Sequence, residues 1–121
     1  MRTTGLAWLV CAGIVLGACA RPERDAPRVA GGNADRGRAV LIARECGACH
    51  RIPGIPGAHG TVGPPLERYR ERVYVAGRLP NLPNHLVAWI RDAPSLDPGT
   101  AMPDLDVSES EARDIAAYLY R

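Results

Sequence analysis

Apolar positions recur with a helical period in only a few places along the chain. Near the C-terminus, Ala112, Ile115, Ala116 and Leu119 fall at i, i+3, i+4 and i+7, which collects them on one helix face. Ser108 and Glu111 just ahead of them have the spacing of a capping box, so a last helix opens there. Leu86, Trp89 and Ile90 form a second, shorter stripe. Pro83 suits the first turn of that helix, where its missing N–H costs nothing, and Pro94 is expected to end it. A first helix is predicted over residues 34–47, capped by Asn33 or Asp35. Gly37 and Leu41 share its face, and a glycine there lets another backbone come close. A short helix around 66–72 is also expected. Residues 51–65, 79–83 and 95–106 read as loops set by Pro and Gly. No stretch alternates as a strand does. The reading is all-α, with three or four short helices and long loops. Loops of that length in so small a unit need something to wrap.

The N-terminus has a different pattern. Arg2 precedes an uncharged stretch whose apolar centre runs from Leu6 to Leu16, the length of a secretory h-region. A membrane span needs about 20 predominantly apolar residues, and Gly5, Gly13 and Gly17 weaken that reading. Leu16-Gly17-Ala18-Cys19 resembles a bacterial lipobox, in which the cysteine becomes the lipidated first residue of the mature protein. Ala18-Cys19-Ala20 also reads as the small-x-small site of ordinary secretion. The lipobox is the reading adopted, because an exported soluble protein has little use for a free thiol there. The expected division is a signal peptide over residues 1–18, a flexible tether over 19–33 and a folded domain over 34–121.

Composition sharpens this. The chain has 121 residues, 5% aromatic, with no Phe, 13 Gly and 11 Pro. A domain this small and short of large rings is expected to draw support from a disulfide, a metal or a cofactor. The net charge of +2 gives no concentrated basic face, which argues against nucleic-acid binding. All 15 basic residues are Arg. The segment from Arg91 to Arg113 carries a net −4, read as a solvated acidic surface.

The chemistry lies in Cys46-Gly47-Ala48-Cys49-His50, a C-x-x-C-H sequence, the attachment pattern of c-type haem. Two thiols one short turn apart can each add to one of two neighbouring haem vinyl groups, and the next residue then lies under the iron. The competing reading is a Cys46–Cys49 disulfide or dithiol redox module. An export signal and the lack of a βαβ pattern weigh against it. A second axial ligand must come from elsewhere, and Met102, His59 and His85 are the candidates. Met102 sits in a Pro-Gly-rich loop, an odd place for core filling but a good one for presenting a thioether sulfur to haem iron. His59 and His85 are expected to face water.

From Ala34 to Arg121 the chain resembles class I cytochrome c, through Gly37, the Cys46–His50 sequence, Gly63-Pro64, Pro98-Gly-Thr-x-Met102-Pro and Ala117-Tyr-Leu119. It is similar in particular to the cytochrome c domain fused to subunit II of haem–copper terminal oxidases. That closer likeness rests on the Gly-x-x-Gly-x-x-Gly-Pro-x-Leu pattern of 57–66, on Arg72, Ala76-Gly77, Leu79-Pro-Asn81 and on Ala88-Trp-Ile-Arg-Asp92. The resemblance implies a small cytochrome c fold around one covalently bound haem c. Cys46 and Cys49 would attach it, and His50 and Met102 would ligate its iron. It implies a hydrogen bond from the His50 ring to the Pro64 carbonyl, Thr100, Trp89 and Arg72 near the haem or its propionates, and Gly37 and Leu41 packed against Tyr118. Subunit II also carries a binuclear copper site on a β-sandwich. This chain has no such domain, so the expectation is a free-standing or tethered haem domain.

The expected function is one-electron transfer in a respiratory chain, not catalysis, since a His/Met iron has no open position. The domain would lie on the periplasmic side, held to the membrane by a lipid on Cys19. A quinol-oxidising complex would be the donor and a terminal oxidase the acceptor. The second reading is a haem enzyme or gas-binding protein with a labile sixth ligand.

Overall fold

The computed structural model describes residues 27–121. The expected signal peptide, Cys19 and most of the expected tether lie outside the described residues. Among those described, no helix is long and apolar enough to cross a membrane.

Helix α1 spans Ala34–Ala43, and the Asn33 side chain caps it by accepting from the Asp35 and Arg36 amides at 3.0 and 2.9 Å. It stops short of the predicted residue 47. Glu45 turns into the left-handed region at φ 52°, and Cys46–Ala48 continue as a single 3-10 turn. Helix α2 spans Pro83–Arg91 with Pro83 in its first turn, as expected. Pro94 does not simply end it. Asp92 breaks the helix and caps a further short one, α3, Ala93–Leu96, by accepting from the Ser95 amide. Pro94 then sits in the first turn of α3, where a proline is tolerated. Helix α4 spans Glu109–Leu119 and carries the predicted capping box between Ser108 and Glu111.

The expected helix at 66–72 shrinks to a 3-10 turn, Tyr69–Glu71. A small hairpin follows that the sequence pattern does not reveal. Strands β1, Tyr74–Val75, and β2, Leu79–Pro80, pair antiparallel. Ala76 and Gly77 between them both have positive φ, 50° and 71°, and Arg78 donates back to the Val75 carbonyl at 3.0 Å. Two consecutive positive φ values are the mark of a tight hairpin turn. Strands of two residues are too short to show alternation.

Helices α1 and α4 form the main packing pair. A Cβ at Gly37 would stand 2.0 Å from the Asp114 carbonyl oxygen, so no larger residue fits. Gly37 therefore meets the Asp114–Ile115 backbone and not Tyr118. The Tyr118 hydroxyl instead donates to the Pro53 carbonyl at 2.6 Å and lies against Gly54. The Asp114 carboxylate is buried at the same crossing. It accepts from the Asn33 amide at 2.7 Å and from two nitrogens of Arg36 at 2.7 and 2.8 Å. The core joins Leu41 of α1, Leu86 and Ile90 of α2, Val75 of β1 and Ala112, Ile115 and Ala116 of α4. The packed unit also begins before Ala34. Val29 is buried, Arg113 donates to the Ala30 carbonyl at 3.1 Å, and a Cβ at Gly32 would stand 2.5 Å from the Arg113 carbonyl oxygen. Residues 29–33, assigned to the tether on their composition, thus lie on α4 because one valine buries and Gly32 allows backbone contact.

Candidate functional site

The 3-10 turn after α1 presents Cys46, Cys49 and His50. The Cys46 carbonyl accepts from the amides of both Cys49 and His50, at 3.3 and 3.0 Å. Both cysteines are free and half-buried. Burial pushes the Cys46 thiol up from its ordinary pKa, so it stays protonated at neutral pH.

The loop from Arg51 to Leu66 wraps behind this turn and is fastened to it by backbone contacts. Gly60 donates to the Gly47 carbonyl at 3.0 Å and Gly63 to the Cys49 carbonyl at 2.8 Å, while Leu66 donates to the Arg51 carbonyl at 2.8 Å and closes the loop on itself. The contact is close enough to require glycine on both sides. A Cβ at Gly47 would stand 2.7 Å from the Ala58 Cα, and one at Gly60 would stand 2.4 Å from the Ala48 carbonyl oxygen. Glycine at Gly63 has a different reason, since a Cβ there would lie 2.3 Å from His50 Cε1. The same loop brings the Pro64 carbonyl oxygen to 2.7 Å from His50 Nδ1. A carbonyl only accepts, so Nδ1 carries the proton, and Nε2 keeps its lone pair free for a metal.

His50, Cys46 and Cys49 line a cavity of about 540 Å³. Met102 lines it too, from the loop between α3 and α4. Leu41, Leu86, Trp89, Ile90 and Ile115 contribute apolar wall from three helices. The volume and the mainly apolar lining are those of a cofactor site. An imidazole, a thioether and two free thiols are the donor and attachment groups of haem c. The residues present therefore fit a haem.

Trp89, Thr100 and Arg72, expected near the haem, all line the cavity. Thr100 Oγ1 accepts from the Met102 amide at 3.2 Å. The Arg72 guanidinium lies 4.8 Å over the Tyr69 ring and donates to the Pro65 carbonyl. His59 is exposed and His85 turns its ring to the Pro80 carbonyl at 2.8 Å; neither lines the cavity. Tyr69, Tyr74 and Arg44 line it as well and were not singled out from sequence. Their types are common at surfaces and in cores alike, and only the hairpin and the end of α1 bring them to this wall.

A family model described as Cytochrome c matches residues 34–120. The chain is 39% identical over 87 residues to cytochrome c oxidase subunit 2 of Alkalihalophilus pseudofirmus (strain ATCC BAA-2126 / JCM 17055 / OF4). That alignment covers 71% of this chain and 25% of the relative, so the chain spans about a quarter of the protein it matches. No solved structure matches it.

Proposed function

The chain belongs to the cytochrome c family, whose members carry covalent haem c and move electrons, and from that premise we propose a mono-haem, one-electron carrier with His50 and Met102 as axial ligands. The observation that supports this reading most is that one cavity is lined at once by Cys46, Cys49, His50 and Met102, while His59 and His85 stay outside it. Bound haem c supplies one reversible electron at its iron. Cys46 and Cys49 would hold the group through thioethers, so it would not be lost when the chain opens. His50 is oriented by the Pro64 carbonyl and offers Nε2. Met102, on the wall of the same cavity, would supply a thioether as the second ligand and leave no coordination position for water or substrate. With both ligands held on the wall of one cavity, a change of redox state would need little rearrangement. We further propose that a terminal oxidase accepts the electron, a reading motivated by the relative's name, that a quinol-oxidising complex supplies it, and that a lipid on Cys19 holds the domain on the periplasmic side of the membrane.

Met102→Ala tests the ligation. The wild-type iron is expected to be low-spin in both redox states and to bind carbon monoxide poorly. In the variant the potential falls, because a thioether favours ferrous iron, and carbon monoxide binds readily. Haem stays attached through an acid–acetone extraction, since the thioethers do not depend on Met102. Retention of the near-infrared sulfur-to-iron band and of the wild-type potential in Met102→Ala would remove Met102 from the site. The anchor is tested apart from this: Cys19→Ser should move the protein from the membrane fraction to the soluble one, and a wild-type chain already soluble and starting at Arg21 refutes the lipid.

A further inference from the structure

The loop that carries Met102 has almost no secondary structure of its own, and its two ends are each held by an arginine from another part of the fold. At its start, Asp97 accepts from the Gly99 amide at 3.1 Å through Oδ1, while its Oδ2 takes Nε of Arg78 at 2.9 Å. Arg78 belongs to the β1–β2 turn. At the loop's far end, Nη1 of Arg44 donates to the Leu105 carbonyl at 3.2 Å. Nη2 of the same guanidinium reaches both carboxylate oxygens of Glu111, at 3.1 and 3.2 Å. Arg44 caps the end of α1, two residues before Cys46, so one planar group ties the attachment turn, the methionine loop and the start of α4 together. A guanidinium can do this because its donors diverge in a fixed fork. The Arg44 side chain is only 32% exposed, which limits how far water can replace these bonds.

We propose that Arg44 and Arg78 are positioning residues that hold the two ends of the Asp97–Leu105 segment and thereby set how firmly Met102 occupies its axial place. The inference rests on Met102 being the ligand. A loop that swings out would carry Met102 away from the ligand position, and the two arginines, holding the loop's ends, oppose that opening. An added ligand that needs the vacated position binds with its intrinsic affinity multiplied by the open fraction. Loosening either end raises that fraction.

The experiment is a titration of the ferric holoprotein with imidazole, read from the visible spectrum, across wild type, Arg44→Gln, Arg78→Gln, the double variant, Met102→Ala and Arg36→Leu. Arg36→Leu breaks the ion pair to Asp114, which makes no hydrogen bond or ion pair with the Asp97–Leu105 segment, and reports what loss of stability alone does. Imidazole should bind about tenfold tighter in Arg44→Gln, equivalent to about 1.4 kcal/mol of loop closure. The exposed Arg78 should give about threefold, and the double variant close to the product, since the two ends share no partner. Arg36→Leu should match wild type. Hydrogen exchange at the Met102 amide should speed up in the two arginine variants and not in Arg36→Leu. If both arginine variants stay within twofold of wild type while Met102→Ala binds imidazole tightly, the brace is refuted and Met102 ligation stands. If wild type already binds as tightly as Met102→Ala, Met102 is not the ligand and the brace falls with it. Equal tightening in Arg36→Leu also overturns the proposal, because the effect would then be general loosening.

Discussion

At the scale of single residues, the site depends as much on what is missing at three glycines as on what the functional side chains supply. Gly63 is the sharpest case. The His50 ring it faces is oriented by the Pro64 carbonyl, 2.7 Å from Nδ1. A methyl group placed 2.3 Å from Cε1 would force the ring to move. Gly63→Ala is expected to swing the imidazole off the Pro64 carbonyl and to change the potential and visible spectrum of the holoprotein. Loss of such an orienting partner commonly costs 10- to 100-fold in metal affinity or activity, so the yield of haem-loaded protein should drop too. A Gly63→Ala protein with wild-type spectrum, potential and yield would show that the ring adapts. The C-x-x-C-H pattern and Met102 stand out in the sequence as candidates, because haem attachment and ligation would use thiols, an imidazole and a thioether. The reason for Gly63 was not, since it lies in a contact with a side chain thirteen positions earlier.

At the scale of elements, the crossing of α1 and α4 is the main packing contact of the fold. Gly37 lets the two helices come close at the Asp114–Ile115 backbone, and the buried Asp114 fastens the crossing to Asn33 and Arg36. Gly37→Ala adds helix propensity but forces a Cβ into the Asp114 carbonyl. Backbone cannot give way there as a flexible side chain would, so the clash should dominate, with a loss of about 1–3 kcal/mol. The denaturant midpoint of the holoprotein reads this directly, and an unchanged or higher midpoint is the contrary result. The periodic stripes of α2 and α4 and the capping box of α4 announce these helices in the sequence. The early end of α1, the second start at α3 and the hairpin at Tyr74–Pro80 do not show there. They turn on single backbone conformations, at Glu45, Asp92 and Ala76-Gly77, that local composition leaves open.

At the scale of the whole molecule, acid should loosen the fold through two carboxylates on α4. Glu111 is held down to about 2 from an ordinary 4.5 by the Ser108 hydroxyl and amide and by Arg44. Asp114 is lowered from 3.8 by hydrogen bonds from Arg36 and the Asn33 amide, against its own burial. Both groups are more acidic folded than unfolded, so the stability they contribute is fully present above their ordinary pKa values. It is lost as pH falls, for Glu111 between about 4.5 and 2, as protons that the unfolded chain binds more readily are taken up. Melting temperatures of the holoprotein measured from pH 7 to pH 2 should fall across that window, and Glu111→Gln should flatten part of the fall. A profile level down to pH 2 contradicts this. The same carboxylate meets Arg44, so the acid-sensitive contact and the brace on the methionine loop share one side chain.

The sequence by itself determined the class of chemistry and the helical frame. The C-x-x-C-H sequence of Cys46, Cys49 and His50 carries the attachment and donor chemistry a haem site would use, Met102 is one of three side chains able to supply a second ligand, and an apolar stripe gains by burial wherever it falls. Tertiary structure alone decided how those parts meet. It placed Met102 on the cavity wall and left His59 and His85 off it, drew Val29–Asn33 onto α4, turned Tyr118 toward Pro53, and joined Arg44 to Leu105 and Glu111 across more than sixty positions of chain. The physical reason is the same in each case. A local pattern states what a residue can do, whereas a close approach between distant backbones is set by the packing of the whole core.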